Sequence, residues 1–141
     1  MLLQATNRPI WIARGVLVPA SGSGESAPPG SGSTITIYDS TANANALQFN
    51  TALPFSRLVL HIDADANSAA SGVIIEGSTN NGSTWTTMQA AQTYLTASGP
   101  TDYDILVTMP QVRLRYTNSA AVLTRWNMSL EGIMGDRSKG T

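Results

Sequence analysis

The sequence of 141 residues contains no cysteine, a single histidine, a single lysine and few charged residues, which make up 12% of the chain. Without cysteine the chain can form neither a disulfide framework nor a thiolate site. Because His61 is the only histidine, a metal cluster built on several histidines cannot form within one chain, and we expect His61 to be a half-buried strand residue. No Gly-x-Ser-x-Gly motif is present, which argues against a serine nucleophile with His61 as its base. We expect neither an enzyme nor a cofactor.

The charge balance also excludes some partners. The formal net charge is -1, and Lys139 is the only lysine among the 8 basic residues. This near-neutral balance gives no electrostatic reason to expect nucleic-acid binding, which requires basic patches. No window approaches the ~20 apolar residues that span a bilayer, and residues 1–9 lack the pattern of a secretion signal, so we expect no membrane association. Low charge with abundant Ser, Thr, Asn, Ala and Gly suits a surface partly covered by neighbouring subunits.

What the sequence does contain is a series of short alternating strands. In the segment 57–64, alternate residues are apolar and should share one buried face: Leu58, Leu60, Ile62 and Ala64. Segments 111–117 and 125–131 alternate in the same way, and pairing Tyr116 with Trp126 would keep their apolar faces together. About eight strands at intervals of roughly ten residues predict an all-β fold, an antiparallel β-sandwich that is jelly-roll-like, or less favourably a barrel.

We divide the chain into three parts. Residues 1–33 form an N-terminal arm or first strand, with a strand over 11–18 and a bulge at Gly15, followed by a loop rich in Gly, Ser and Pro. This loop is either a hinge that lets an extended N-terminal arm reach a neighbouring subunit or a long surface loop. Residues 34–134 form the sandwich, and residues 135–141 form a flexible tail.

A β-hairpin is predicted around Asn81-Gly82, since these residues tolerate positive φ and lie between two runs with high strand propensity. The surrounding residues resemble the Asp-box of sialidases and related β-propellers, with Asn where that family carries Asp. In that family the box is a hairpin remote from the active site, and it recurs with the blades. Here the pattern occurs once, so the resemblance implies a structural hairpin and not a glycosidase: Ser78, Asn80, Gly82, Thr84 and Trp85.

Two sets of charged residues are candidates for a site. The first is two pairs of aspartates, which could supply oxygen ligands for Ca²⁺, act as a pair of catalytic carboxylates, or simply cap strand ends: Asp63, Asp65, Asp102 and Asp104. The second is a set of arginines predicted to line one outward face next to Glu131: Arg113, Arg115 and Arg125. These arginines could bind a phosphate or a sulfated sugar, or form intersheet or intersubunit ion pairs with the chain's own acids. Trp11 and Arg14 are further interface candidates.

The order of features between residues 57 and 132 is similar to that of small β-sandwich proteins of tailed bacteriophages, namely capsid decoration (cement) and tail accessory proteins. The resemblance covers a little over half of the chain and rests on a few segments: 58–62, 73–78, 81–85, 112–118 and a closing amphipathic strand. It implies a structural virion protein without catalytic residues, made in the host cytoplasm and located on the outer capsid surface. It further implies a homo-oligomer, with a trimer favoured, whose partner is the major capsid protein. The alternative is a carbohydrate- or receptor-binding module of a phage tail, and a glycosidase is the least favoured class.

Overall fold

The computed structural model describes residues 9–14, 30–41 and 55–134, with side chains described for 30–41 and 56–133. These residues form eight strands and one turn of 3-10 helix at Thr96–Ser98. The strands are β1 (Pro9–Arg14), β2 (Thr34–Asp39), β3 (Phe55–Ala64), β4 (Ser68–Ser78), β5 (Thr86–Gln92), β6 (Thr101–Leu106), β7 (Gln111–Asn118) and β8 (Trp126–Met134). The predicted all-β class is confirmed, and the described residues contain no helix that could span a bilayer.

The strands form two antiparallel sheets that enclose one core. The first sheet has the order β1-β8-β3-β6 and the second has the order β2-β7-β4-β5. β1 pairs with β8, with an irregularity between Trp11 and Ala13, so residues 9–14 are an edge strand of the first sheet. The predicted bulge at Gly15 and the rest of the predicted arm, like the tail from residue 135, lie outside the described residues.

The alternation predicted for β3 is confirmed, because Leu58, Leu60 and Ile62 are at most 1% exposed and Ala64 is equally buried. The inward residues of β7 and β8 are buried as well. Tyr116 on β7 contacts Trp126 on β8, with ring centroids 4.5 Å apart. The Tyr116 hydroxyl has no hydrogen-bond partner among the described residues, and its burial raises its pKa far above the ordinary value.

The predicted pairing of β7 with β8 is wrong. β7 lies between β2 and β4 in the second sheet, whereas β8 lies between β1 and β3 in the first. Tyr116 and Trp126 therefore meet across the core and not within a ladder. Alternation determines which side chains point inward, but it does not determine in which sheet a strand lies.

Side chains tie the two sheets together. The Tyr94 hydroxyl donates to Ala64 O at 3.0 Å and accepts from Ala64 N at 2.9 Å, which holds the residues after β5 against the end of β3. The Gln89 side chain on β5 donates to Asp104 O at 2.9 Å and accepts from Leu106 N at 3.3 Å. Gln89 thus links the β5 edge of one sheet to the β6 edge of the other. The Asp104 carbonyl and the Leu106 N–H are already hydrogen-bonded, so they are not available to pair with another strand.

Candidate functional site

The loop between β4 and β5 is organised by the Ser78 hydroxyl. Ser78 Oγ accepts from the backbone N–H groups of Asn80 at 3.2 Å and Gly82 at 3.0 Å, and it donates to Asn80 Oδ1 at 2.8 Å. β4 and β5 pair antiparallel on either side of the loop, so the predicted hairpin is present. Asn81 and Gly82 adopt positive φ values of 56° and 83°, as a turn of this kind requires.

Asn80 occupies the position where an Asp-box has Asp, and its carboxamide spans the loop. Asn80 Oδ1 accepts from Thr84 N at 2.9 Å, and Asn80 Nδ2 donates to Thr84 Oγ1 at 2.8 Å. An ionised carboxylate could accept the first of these bonds but could not donate the second. Asn at this position therefore adds a hydrogen-bond donor to the loop, and both hydrogen bonds hold the loop in its turn conformation.

Trp85 closes the hairpin and supports an arginine. The Arg113 guanidinium carbon lies 4.5 Å from the centroid of the half-buried Trp85 ring, a cation–π arrangement. On Gly82, an added Cβ would come within 3.2 Å of Trp85 Cζ2 and 3.1 Å of Thr41 Oγ1. The Trp85 ring is thus packed between the loop and Arg113.

Glu76 brings two of the predicted arginines together on the outer face of the second sheet. Arg113 Nε donates to Glu76 Oε2 at 2.8 Å, while Arg115 donates through Nε at 2.9 Å and through Nη2 at 2.8 Å. The Glu76 side chain is only 12% exposed. Burial by itself would raise the pKa of Glu76, but the hydrogen bonds from Arg113 and Arg115 outweigh burial and hold the pKa below its ordinary range.

The third predicted arginine lies elsewhere. Arg125 directly precedes β8 in the first sheet and donates to Asp63 at 3.0 Å. The prediction that Arg125 shares one outward face with Arg113 and Arg115 is therefore wrong, because β7 and β8 belong to different sheets. The acid that Arg113 and Arg115 share is Glu76 and not Glu131. Trp11 and Arg14 lie on β1, whose side chains are outside those described.

The candidate carboxylates of β6 are each paired with a cationic or titratable side chain of β3. Asp102 contacts His61 Nδ1, and Asp104 forms a bidentate pair with Arg57. The β3–β6 register explains both pairs: it aligns Asp102 with His61 and places Asp104 diagonally across from Arg57.

The two remaining aspartates are held separately. Asp63 accepts from Arg125, and Asp65 accepts from the backbone N–H of Thr124 at 3.0 Å and from its hydroxyl. Burial would raise the pKa of Asp65, but the hydrogen bonds from Thr124 lower it below its ordinary value. Among the described residues no three His, Asp or Glu side chains gather to hold a metal ion, so the calcium candidates do not form one site.

A feature that the sequence analysis missed is a charge-free surface at one end of the sandwich. We call it the end surface, and it consists of four adjoining segments at the ends of strands: residues 30–33, 67–71, 95–100 and 119–122. The second segment includes the first residues of β4, and the third includes the 3-10 turn. Hydrogen bonds connect these segments. Gly32 N donates to Ser119 O at 2.8 Å, Ser119 N to Asn67 O at 3.4 Å, and Thr96 N to Asn67 Oδ1 at 2.8 Å.

The end surface has no Asp, Glu, Lys, Arg or His and is rich in Ser, Ala and Gly. It also exposes Leu95, at 46%, and Val122, at 73%. The tetrapeptide Asn-Ser-Ala-Ala occurs twice in it or at its border, at 67–70 and 118–121. This repetition is the one signal in the sequence that could have indicated two neighbouring segments of this surface.

Comparison of the chain with protein-family models, with curated proteins and with solved structures finds no match.

Proposed function

We propose that the chain is a structural virion protein of a tailed bacteriophage that binds the assembled capsid from outside and stabilises it. The partner is the major capsid protein, and the protein acts as a homo-oligomer, with a trimer favoured.

The end surface is the observation that carries this proposal. Most described charged side chains pair with one another on the outer faces of the two sheets, whereas the end surface has no charge and exposes Leu95 and Val122. Depletion of charge around exposed aliphatic side chains is what the core of a protein interface requires, because unpaired charges are costly to desolvate. The end surface is accordingly the contact that we assign to the capsid.

The strand order is a second support. Eight strands in two sheets, ordered β1-β8-β3-β6 and β2-β7-β4-β5, suit a jelly roll made of two Greek keys, an architecture that viral capsid domains use. We therefore propose that the β-sandwich is a jelly roll.

The mechanism follows from linkage. A protein that binds the assembled shell and not its dissociated subunits lowers the free energy of the shell by RT ln(1 + [L]/Kd), about 2.7 kcal/mol when its free concentration is 100 times Kd. No reactive group is needed for such an activity, since the effect arises from binding alone.

Co-sedimentation tests the proposal. The purified chain is mixed with empty capsids of the phage that encodes it, and the shells are pelleted. We expect the wild type to pellet with the shells and Val122→Asp to lose binding, because the new carboxylate would be desolvated at the contact. Thr108→Asp, at an exposed residue in the loop after β6, is the matched control and should bind normally.

Wild-type protein that stays in the supernatant would contradict the proposed function. Equal binding of the wild type and Val122→Asp would contradict the assignment of the end surface as the contact. Light scattering on the purified chain tests the trimer separately, and a monomer at all concentrations would remove it.

The alternative, a carbohydrate- or receptor-binding module, remains a prediction with less support. All four tyrosines are buried, Trp126 is buried, and the Trp85 ring packs against Arg113. A glycan array on which the protein binds reproducibly would favour this alternative.

A further inference from the structure

Asn81 combines an exposed side chain with a glycine as the next residue. The residue lies at the tip of the β4–β5 loop, and its carboxamide has no hydrogen-bond partner among the described residues. The backbone N–H of Asn81 donates to Gln111 Oε1 at 3.1 Å, so the backbone is held while the side chain is not.

An asparagine followed by glycine can modify itself. The backbone nitrogen of Gly82 attacks Cγ of Asn81, a C–N bond forms, and the carboxamide nitrogen leaves as ammonia after taking up the proton of the attacking N–H. Water then opens the resulting five-membered imide at one of its two carbonyls, which gives aspartate or isoaspartate. Glycine favours the attack because it has no Cβ to hinder the approach of its nitrogen.

The hairpin opposes this attack. The N–H that must lose its proton, that of Gly82, donates to Ser78 Oγ at 3.0 Å, and Ser78 is itself buried at 2% exposure. We propose that Asn81 is a deamidation site whose rate in the folded protein is set by the hydrogen bond from Gly82 N–H to Ser78 Oγ. Reaction then requires local opening of the loop, which breaks this bond.

The product alters the loop in two ways. Either product places a carboxylate at position 81, next to the Gln111 side chain. Isoaspartate also routes the backbone through Cβ and adds one atom between residues 81 and 82, which displaces the Gly82 N–H from Ser78. The isoaspartate form of the hairpin therefore loses the contact that slowed the reaction. This inference is independent of the proposed function.

The rate is measured by mass spectrometry of the full chain incubated at neutral pH, with fragment ions of its proteolytic peptides distinguishing Asn80 from Asn81. We expect slow modification at Asn81 in the folded wild type and faster modification in the denatured chain. Ser78→Ala removes all three hydrogen bonds of the hydroxyl. The loss of the bond from Gly82 N–H, counted as one ordinary hydrogen bond, should by itself raise the rate by a factor of roughly five. Hydrogen exchange at the Gly82 amide should accelerate in parallel.

Thr84→Ala is the matched control, because it removes the hydrogen bond between Asn80 Nδ2 and Thr84 Oγ1 but leaves the Ser78–Gly82 contact in place. Its rate should stay near that of the wild type. The inference is overturned if Ser78→Ala modifies no faster than the wild type, or if Thr84→Ala accelerates the reaction as much as Ser78→Ala does. It is also overturned if the folded and denatured wild-type chains react at one rate.

Discussion

Replacing Glu76 by glutamine removes the negative charge that two arginines share on the outer face of the second sheet. Three hydrogen bonds of 2.8 to 2.9 Å join this carboxylate to Arg113 and Arg115, and the Glu76 side chain is only 12% exposed. Glutamine has nearly the same shape but only one acceptor oxygen, and it leaves two guanidinium groups close together without a counter-charge. We expect the variant to fold and to be less stable.

The magnitude follows from the partial burial of the cluster. A hydrogen bond to a charged group contributes about 1.5–3 kcal/mol, and breaking a fully buried ion pair costs about 3–5 kcal/mol. The arginine side chains are 22% and 32% exposed, so the cost should lie below the fully buried limit. We expect Glu76→Gln to lower the free energy of unfolding by about 2–4 kcal/mol.

Urea unfolding followed by circular dichroism measures this change. With a slope of about 2 kcal/mol per M urea, the midpoint should fall by about 1–2 M. The matched control is Asp63→Asn, which removes the same charge from the exposed pair with Arg125, whose side chains are 31% and 51% exposed. That variant should lose less than about 1 kcal/mol. The reasoning is refuted if Glu76→Gln stays within about 0.5 kcal/mol of the wild type, or if the two variants lose equal stability.

The pH dependence of stability provides a second measurement on Glu76. The arginines hold its pKa below the ordinary value in the folded state. The contribution of the ionised carboxylate to the free energy of unfolding is therefore complete above its unfolded pKa of about 4.3. It is lost as the pH falls through the lower pKa of the folded state. In Glu76→Gln this part of the acid destabilisation should be missing, and an unchanged acid profile would contradict the assignment.

Three further variants test the fold. Tyr94→Phe removes both hydrogen bonds to the β3 backbone and should lower the free energy of unfolding by about 1–3 kcal/mol, measured in urea. The Tyr103 hydroxyl bonds to no other described residue, so the control variant Tyr103→Phe should lose much less stability. Gly82→Ala and Gly32→Ala both place a side chain at positive φ, but an added Cβ meets Thr41 and Trp85 only at Gly82. Gly82→Ala should therefore lower the melting temperature more than Gly32→Ala, and equal shifts would mean that backbone strain alone determines the cost. Gln89→Leu removes the link between the β5 and β6 edges and should lower the free energy of unfolding by about 1 kcal/mol in the same urea assay. An unchanged urea midpoint would contradict a stabilising role of this link.

The inward faces of the strands could be predicted because alternation is a local property. Leu58 and Leu60 on β3 and Leu114 on β7 are buried as expected. Sheet membership could not be predicted, because β7 and β8 have the same alternating pattern, and either pairing keeps their apolar faces inward. Only the path of the whole chain, which crosses between the sheets, places these strands in different layers.

The candidate site shows the same division between local and distant information. The hairpin residues from Ser78 to Trp85 are close in sequence, and the pattern that predicts their turn also places their hydrogen-bonding groups. Glu76 and Arg115 are 39 positions apart, so their contact depends on strand register and was missed. The end surface was missed because loops of Ser, Ala and Gly have no periodicity to indicate that they meet.

The thermal stability of the capsid itself tests the central claim most directly. Empty capsids of the encoding phage are heated in a calorimeter with and without a saturating amount of the purified chain, and Val122→Asp serves as the control. The proposed function predicts that the wild type raises the melting temperature of the shells until its binding sites are filled, and that the variant does not. Shells that melt at the same temperature with and without the wild-type chain would contradict it.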